Sequence, residues 1–532
     1  MKTRSLITAA PTDGPDSQTP RTSPRIRARE DAGPPRLLWA ARLEKLKLAA
    51  AACGITALAG ATGLGQVQTN KDGNIVWPEP IRIVFENTQP LKHPRATRLP
   101  FFLWPAMNPG RLSGEQALTL VQQLDERGVG LVCRWDHARY QESLADALPV
   151  ARAQQKLGLP VAIDATSLLY SFFNGDKSTA HIDDKGEPFW DTSFAGKADM
   201  GCPFALDGRR AEIRGRVERF AEAYREAGLT PGFVWADWEV DGPIEWNDAW
   251  AASKRCKRCR EHLPNIGNFL QFQHELRAIR SDLQRTCYAE PLLRRFPACL
   301  VGNYGTYPHD GFRYWYDYFE TEQPSYPGLQ EGHALYRHWA NEFESTGYTF
   351  AMPVLYTWSR MWHWYDFEDA DYHWFRPMLL EGTSCGRSTP PGLPIVAFVH
   401  WHTTVPPTPP DPAIKQFTVE GYQEFLWHML LRGVSTFYLW CPAPEYAEEV
   451  KALYPVWAAA QEYGEFLSKG RPVAFDVPER PGTVISGLRL KNRVLVRRTD
   501  FGAATGEVVL TVSGQELRVP VAKGRCQILE LK

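Results

Sequence analysis

Eight short apolar runs alternate with longer amphipathic stretches through the middle of this 532-residue chain, and that alternation limits what it can fold into. The runs are Phe101 to Trp104, Gly130 to Arg134, Pro160 to Asp164, Gly232 to Glu239, Cys299 to Tyr304, Phe350 to Tyr356, Pro394 to Val399 and Ser435 to Trp440. Short apolar runs bounded by turn residues read as buried strands, and strands alternating with helices read as βα units on a parallel sheet. The fold class expected is therefore α/β, a (β/α)8-like TIM barrel with functional residues at the carboxyl ends of its strands. Helices are expected over Ser113 to Arg127, Ser143 to Leu157, Arg210 to Ala227 and Thr418 to Arg432. The first has amino-terminal signals in Ser113 and Glu115 and an apolar stripe of Leu118, Leu120, Val121 and Leu124, and the other three end shortly before a glycine.

The texture differs at both ends. Residues 1 to about 35 are rich in Pro, Ser, Thr, Arg and Asp without apolar periodicity, which predicts disorder. A basic patch at Arg42, Lys45 and Lys47 then precedes the small, mildly apolar residues from Leu48 to Ala61. That pattern resembles a secretory signal, although it lies further from Met1 than a standard one, and a short Ala-rich helix has the same composition. Its Gly and Thr content argues against a membrane span. After Pro472 the chain alternates apolar and polar residues in short runs between Gly-containing turns, as in Arg493 to Arg498 and Glu507 to Val512, which predicts a small all-β sandwich. The expected organisation is an extension and signal-like segment over 1–66, a barrel over 95–469 and an accessory β-sandwich over 471–532. The sandwich carries no aromatic stripe, which favours bracing over ligand binding, and the signal-like segment makes the chain secreted or periplasmic.

The strand ends carry the chemistry. Residues two apart on a strand share a face, so Trp235, Asp237 and Glu239 project together, with Cα atoms of the two acids about 7 Å apart. Val234, Ala236 and Trp238 take the opposite face. The other ends supply Asp136, Asp164, Tyr304, Tyr307, Tyr356, His400, His402 and Trp440. Two insertions, Leu168 to Asp207 and the aromatic-rich Phe312 to Arg376, would build walls over them. With 19 Trp and 20 Tyr the chain is rich in rings that stack on sugar faces. Its net charge of -1 does not point to nucleic acid or an anionic membrane recognised by bulk charge, and the strand-end acids and aromatic rings make a polysaccharide or glycan the expected partner.

Glycoside hydrolysis uses two carboxyl groups, one of them protonated near neutrality. Asp237 beside Glu239 raises the latter's pKa and suits it to act as general acid. Two acids adjacent on one strand are poorly placed to attack opposite faces of a sugar. They suit hydrolysis in which the substrate's own 2-acetamido oxygen is the nucleophile, which makes the sugar an N-acetylhexosamine. Two alternatives stay open. One is a glycosidase with a protein nucleophile or an activated water, using Asp136, Asp164, Asp310 or Asp366 across the cleft. The other is a non-catalytic carbohydrate-binding barrel. No cofactor is expected. His400 and His402 are two metal-type ligands without a third. Of ten cysteines only Cys256-Lys-Arg-Cys259 has motif spacing. A zinc knuckle needs a second ligand pair, which His262, Cys287 and Cys299 do not supply, so a disulfide or free thiols are favoured over metal.

These residues resemble the hyaluronidase family of glycoside hydrolases. Asp237-Trp238-Glu239 is similar to that family's Asp-Trp-Glu, followed by Pro243, Trp246, Asn247 and Trp250, while Tyr304-Gly305 with Pro308 is similar to its aromatic-Gly-x-Pro turn. Tyr356 and Trp440 match its later strand-end aromatics. The resemblance implies Glu239 as acid/base, Asp237 and Tyr356 as holders of the acetamido group, and Tyr304 and Trp440 as lining. Asp241-Gly242 and His309-Asp310 depart from the family pattern, and the family's disulfide cysteines have no clear counterparts.

Overall fold

The structure, a computed structural model, describes residues 75–104, 109–169, 177–191, 201–238, 249–310, 342–356, 369–401, 415–441, 443–502 and 506–532. The extension and signal-like segment, Glu239, His402 and Asp366 lie outside the described residues.

From the amino-terminal side come α1 (Glu79–Asn87), β1 (Phe101–Leu103), α2 (Gly114–Asp125), β2 (Val129–Gly130), β3 (Val132–Arg134), α3 (Tyr140–Lys156) and β4 (Val161–Asp164). A short hairpin follows, β5 (His181–Ile182) with β6 (Pro188–Phe189), then α4 (Asp207–Glu226) and β7 (Pro231–Ala236). Next are α5 (Ala249–Arg255), α6 (Lys257–His262), α7 (Phe269–Leu283), β8 (Leu300–Asn303), β9 (Val354–Leu355), α8 (Ala370–Ser388), β10 (Val396–Val399), α9 (Val419–Leu431), β11 (Thr436–Leu439) and α10 (Tyr446–Ala460). Ser113 caps α2 as its hydroxyl accepts from the Gln116 amide at 3.2 Å, while the Gln116 carboxamide accepts from the Ser113 amide at 2.8 Å. Gly158, Gly228 and Gly433, each at positive φ, follow α3, α4 and α9 closely, as the sequence pattern predicts.

The strands form two parallel sheets, ordered β2-β1-β11-β10-β9 and β3-β4-β7-β8. Only Leu131 separates β2 from β3, so one passage of chain serves the edge of both sheets. Beyond β8 the Thr349 amide donates to the Val301 carbonyl at 2.9 Å, and Ala351 bridges Ile395 in parallel.

Both sheets contribute to one aromatic core. Phe102 of β1 stacks on Phe233 of β7 at 4.3 Å between ring centres, and Phe233 on Phe350 at 4.9 Å. The next layer toward the strand ends holds Trp235 against Trp104, Phe398 and Tyr438, the last at 4.2 Å. Rings this large fit only where neighbouring positions lack side chains. A Cβ on Gly130 would lie 2.5 Å from the Phe102 ring, and one on Gly302 would lie 2.6 Å from Phe350. The opposite parity, Val234, Ala236 and Trp238, packs into a second core shared with the helices.

The carboxyl-terminal segment forms the antiparallel sheet β12 (Arg471–Pro472), β13 (Thr483–Leu490), β14 (Arg493–Asp500) and β17 (Cys526–Glu530), and the pair β15 (Val508–Val512) and β16 (Gln515–Val519). Both share a core of Val494, Val496, Val512, Leu517, Val519 and Leu531. This segment is bolted to α9. Buried Arg432 donates to the Ser486 hydroxyl at 2.8 Å and to the carbonyls of Phe475 and Asp476 at 3.0 and 2.9 Å. His428, wholly buried, meets the Ser486 hydroxyl at Nδ1 and the Thr499 hydroxyl at Nε2. Thr499 spends its proton on Glu424 at 2.6 Å, so His428 Nε2 donates and the neutral tautomer fits.

Burial, and then the charges of Arg432 and Arg497, push the His428 pKa well below the ordinary histidine value. Between that lowered value and the unfolded value of about 6.5 the unfolded chain binds the extra proton, so stability rises with pH. The contribution is complete above about pH 6.5 and is lost as the medium is acidified. Thermal unfolding followed between about pH 7.5 and about pH 5.5 is expected to show a falling Tm, with a shallower fall in His428→Gln.

Candidate active site at the strand ends

Parallel pairing sets the site level by level. Arg134 lies beside Asp164, Asp164 beside Trp235, and Ala236 beside Asn303, so Asp237 and Tyr304 emerge next to one another. Asp164 is fully buried; its Oδ2 accepts from Arg134 Nε at 3.0 Å and its Oδ1 from the Thr166 amide at 2.9 Å. Burial opposes the charge on Arg134, but Asp164 more than offsets it by charge and hydrogen bond, and the Arg134 pKa stays above its usual value. Tyr438 sits beside this pair, its hydroxyl pKa raised well above normal by burial and then by Asp164, with a smaller contribution from Asp237. A buried ion pair thus lies close beneath the half-buried Asp237.

The backbone around Asp237 is held tightly. Its amide donates to the Thr166 hydroxyl at 2.9 Å, and the next amide, of Trp238, donates to the buried Asn303 carboxamide at 2.8 Å. Asn303 Nδ2 returns to the Trp238 carbonyl at 3.2 Å and to Gln284 at 3.2 Å. Arg280, paired with the buried Glu342, reaches the same carbonyl at 3.4 Å. The residue before Glu239 is therefore fixed through both of its backbone polar groups. Thr166, Gln284, Arg280 and Glu342 lie far from the strand end in sequence, and no local pattern marks them.

Four of the expected aromatic and imidazole groups come together. The Tyr304 and Tyr356 hydroxyls share a hydrogen bond at 2.7 Å. Tyr356 stacks on Trp440 at 5.7 Å between centres, and the edge of His400 meets Trp440 at 4.4 Å. His400 Nε2 lies 2.9 Å from Glu445 and 3.1 Å from the fully buried Glu449, which also accepts from the Trp401 amide. Glu445 and Glu449 are absent from the sequence expectation. They come from the turn and helix that follow β11, where nothing local ties them to His400.

Other expected residues are placed elsewhere. Trp235 is buried in the aromatic core and presents no face to a ligand. Tyr307 turns outward to Glu381 of α8, with its hydroxyl donating at 2.8 Å. Asp136 caps the turn that follows it, accepting from the Ala138 amide and from Arg139, both at 3.1 Å. Asp310 accepts from Ser384 at 2.6 Å. Trp250 donates its indole N–H to the Ile266 carbonyl at 2.8 Å, under Lys254.

Neither protein-family models nor curated proteins match the chain. Solved structures to which it is similar include a β-galactosidase from Halorubrum lacusprofundi, at 12% identity and TM-score 0.43, covering 71% of this chain and 59% of that one. An α-L-fucosidase from Paenibacillus thiaminolyticus aligns at 10% identity and TM-score 0.40 over 68% of this chain. The noncanonic maltogenic α-amylase AmyB from Thermotoga neapolitana aligns at 12% and 0.40 over 82% of this chain and 99% of its own. The chain spans 48% of the fucosidase's length. Likeness at this level assigns neither substrate nor mechanism.

Replacing Asn303 by Ala removes the partner of the buried Trp238 amide, and a buried amide left unpaired costs about 1–3 kcal/mol. Asn303→Ala is expected to unfold at lower temperature than wild type, while Arg152→Ala on the exposed face of α3 leaves the transition unchanged.

Proposed function

We propose that the chain is a glycosidase acting on a glycan that contains N-acetylhexosamine, with Glu239 as acid/base and Asp237 as the group that orients and stabilises the substrate's acetamido. The observation that carries this reading is the fixed backbone at Trp238. It presents Asp237 beside Tyr304, which is hydrogen-bonded to Tyr356 and so linked to Trp440 and His400. On this reading the two parallel sheets are halves of one (β/α)8 barrel. Support for that comes from the shared passage at 129–134, the Thr349 to Val301 hydrogen bond, and a core fed by both sheets.

The chemistry follows from the positions. Glu239, kept protonated by the negative Asp237, donates to the leaving oxygen, while the acetamido oxygen closes on the anomeric carbon and Asp237 accepts the acetamido N–H. Glu239 then takes a proton from the incoming water. Tyr304 and Tyr356 form a paired donor for the acetamido group, and Trp440 supplies a stacking face. Export from the cell, read from the segment before residue 66, fits a polysaccharide substrate.

The alternative with a protein nucleophile is weakened where the described candidates are concerned, since Asp136, Asp164 and Asp310 are each engaged in structural hydrogen bonds. A different carboxylate favours keeping it as a second reading. Glu445 has a side chain 31% exposed, hydrogen-bonds His400, and follows β11, which in an eight-strand ring stands across from β7.

Reducing-end release by the full chain and by Glu239→Gln, across polysaccharides with and without N-acetylhexosamine, separates the readings. The expected result is turnover confined to acetamido-bearing chains and lowered about 100-fold or more in the variant. Turnover on plain glycans that is lost in Glu445→Gln supports the second reading instead, and binding without turnover points to a carbohydrate-binding barrel.

A further inference from the structure

Four side chains outside the candidate active site converge on one buried point. His181 of β5, Cys202 before α4, and Cys256 and Cys259 beside and within α6 are all at most 1% exposed, and their ligand atoms lie within 4.8 Å of one another. Cys202 and Cys259 are 3.4 Å apart at sulfur, Cys202 and Cys256 3.9 Å, and Cys259 lies 3.8 Å from His181 Nδ1. A disulfide requires about 2.05 Å, so no pair here is bonded. Around a tetrahedral zinc with Zn–S of about 2.3 Å, sulfurs stand about 3.8 Å apart, which matches this spacing.

We propose that His181, Cys202, Cys256 and Cys259 form a structural zinc site. This inference is independent of the glycosidase reading. Three thiolates and one imidazole complete a tetrahedron from the protein alone, leaving no position for water or substrate, and that donor set selects zinc among the common divalent ions. Binding releases the protons of the thiols that are not already ionised. Supporting groups are in place. The Ile182 amide points at the Cys256 sulfur at 3.5 Å, as amides do toward metal-bound thiolates, and the His181 ring is held flat against Phe189 at 5.1 Å. Cys202 is anchored by its amide to the Thr179 carbonyl at 2.7 Å. Gly201 is required at that contact, because a Cβ there would lie 2.2 Å from the same oxygen.

The ion ties together two excursions of the chain. His181 and Cys202 belong to the insertion between β4 and α4, Cys256 and Cys259 to the segment after β7, and β4, which ends in Asp164, pairs with β7, which Asp237 follows. One zinc thus joins the segment between β4 and α4 to the segment after β7, and its ligand Cys256 follows in sequence the connection that contains Glu239.

Full-length protein produced in zinc-supplemented medium and dialysed against a weak chelator tests the site. Elemental analysis is expected to find about one zinc per chain, and cobalt exchanged into it is expected to give the visible bands and sulfur charge-transfer absorption of a tetrahedral thiolate site. Cys202→Ala and Cys259→Ala are expected to lose the metal, while Cys385→Ala, a buried thiol elsewhere, keeps it. Strong chelation is expected to lower Tm, with zinc restoring it. Wild-type protein with well under one equivalent of metal and no tetrahedral cobalt spectrum overturns the proposal, as does a Cys202–Cys259 disulfide found by mass mapping. The wild-type measurements decide the matter even if the variants do not fold.

Discussion

The architecture depends on filling the space between two short parallel sheets with aromatic rings. Phe102, Phe233 and Phe350 stack across it, and Trp104, Trp235, Phe398 and Tyr438 form the layer above. Such rings each bury a large apolar area, and they demand glycine at 130 and 302. Because the interior is filled, polar groups on the inward parity can emerge only past the last aromatic layer. That is where Asp237, Tyr304 and Tyr356 stand. The charged pair level with that layer, Arg134 with the fully buried Asp164, is satisfied by mutual hydrogen bonding and by the Thr166 amide.

A second constraint concerns the chain as it leaves β7. A strand end proposed to carry reacting carboxylates must be rigid without being sealed, and here rigidity is supplied from behind. Asn303, Gln284, Arg280 and Glu342 form a buried polar network whose purpose, read from its contacts, is to hold the Trp238 peptide groups. The proposed zinc holds the same connection from its other end. Between these anchors lies the residue on which the proposed chemistry turns.

Much of the framework was legible in the sequence because it is local. Each expected strand run overlaps an observed strand or pair of strands, and the alternation of Val234, Ala236 and Trp238 against Phe233 and Trp235 separates the two cores as the period of two requires. Helix ends at Gly158, Gly228 and Gly433 were legible for the same reason. Site residues fared less evenly. Parity alone placed Trp235 with Asp237, yet Trp235 lies one layer lower and is consumed by packing. Tyr307 belongs to a turn that swings it to Glu381. The Cys256/Cys259 motif was expected to be a disulfide or free thiols because the side chains that meet it, His181 and Cys202, lie upstream in an insertion with no periodic pattern. Glu445 and Glu449 were missed on the same ground: their relation to His400 exists only after β10 and β11 pair.

The central claim is that the acetamido group of the substrate is held by Asp237 beside the Tyr304–Tyr356 pair. A crystal structure of Glu239→Gln with an N-acetylhexosamine oligosaccharide tests it directly. The account predicts the acetamido nitrogen within hydrogen-bond reach of Asp237, its oxygen close to the anomeric carbon, and a sugar face against Trp440. A saccharide bound with its acetamido group turned away from Asp237, and with Glu445 beneath the anomeric carbon, would contradict it.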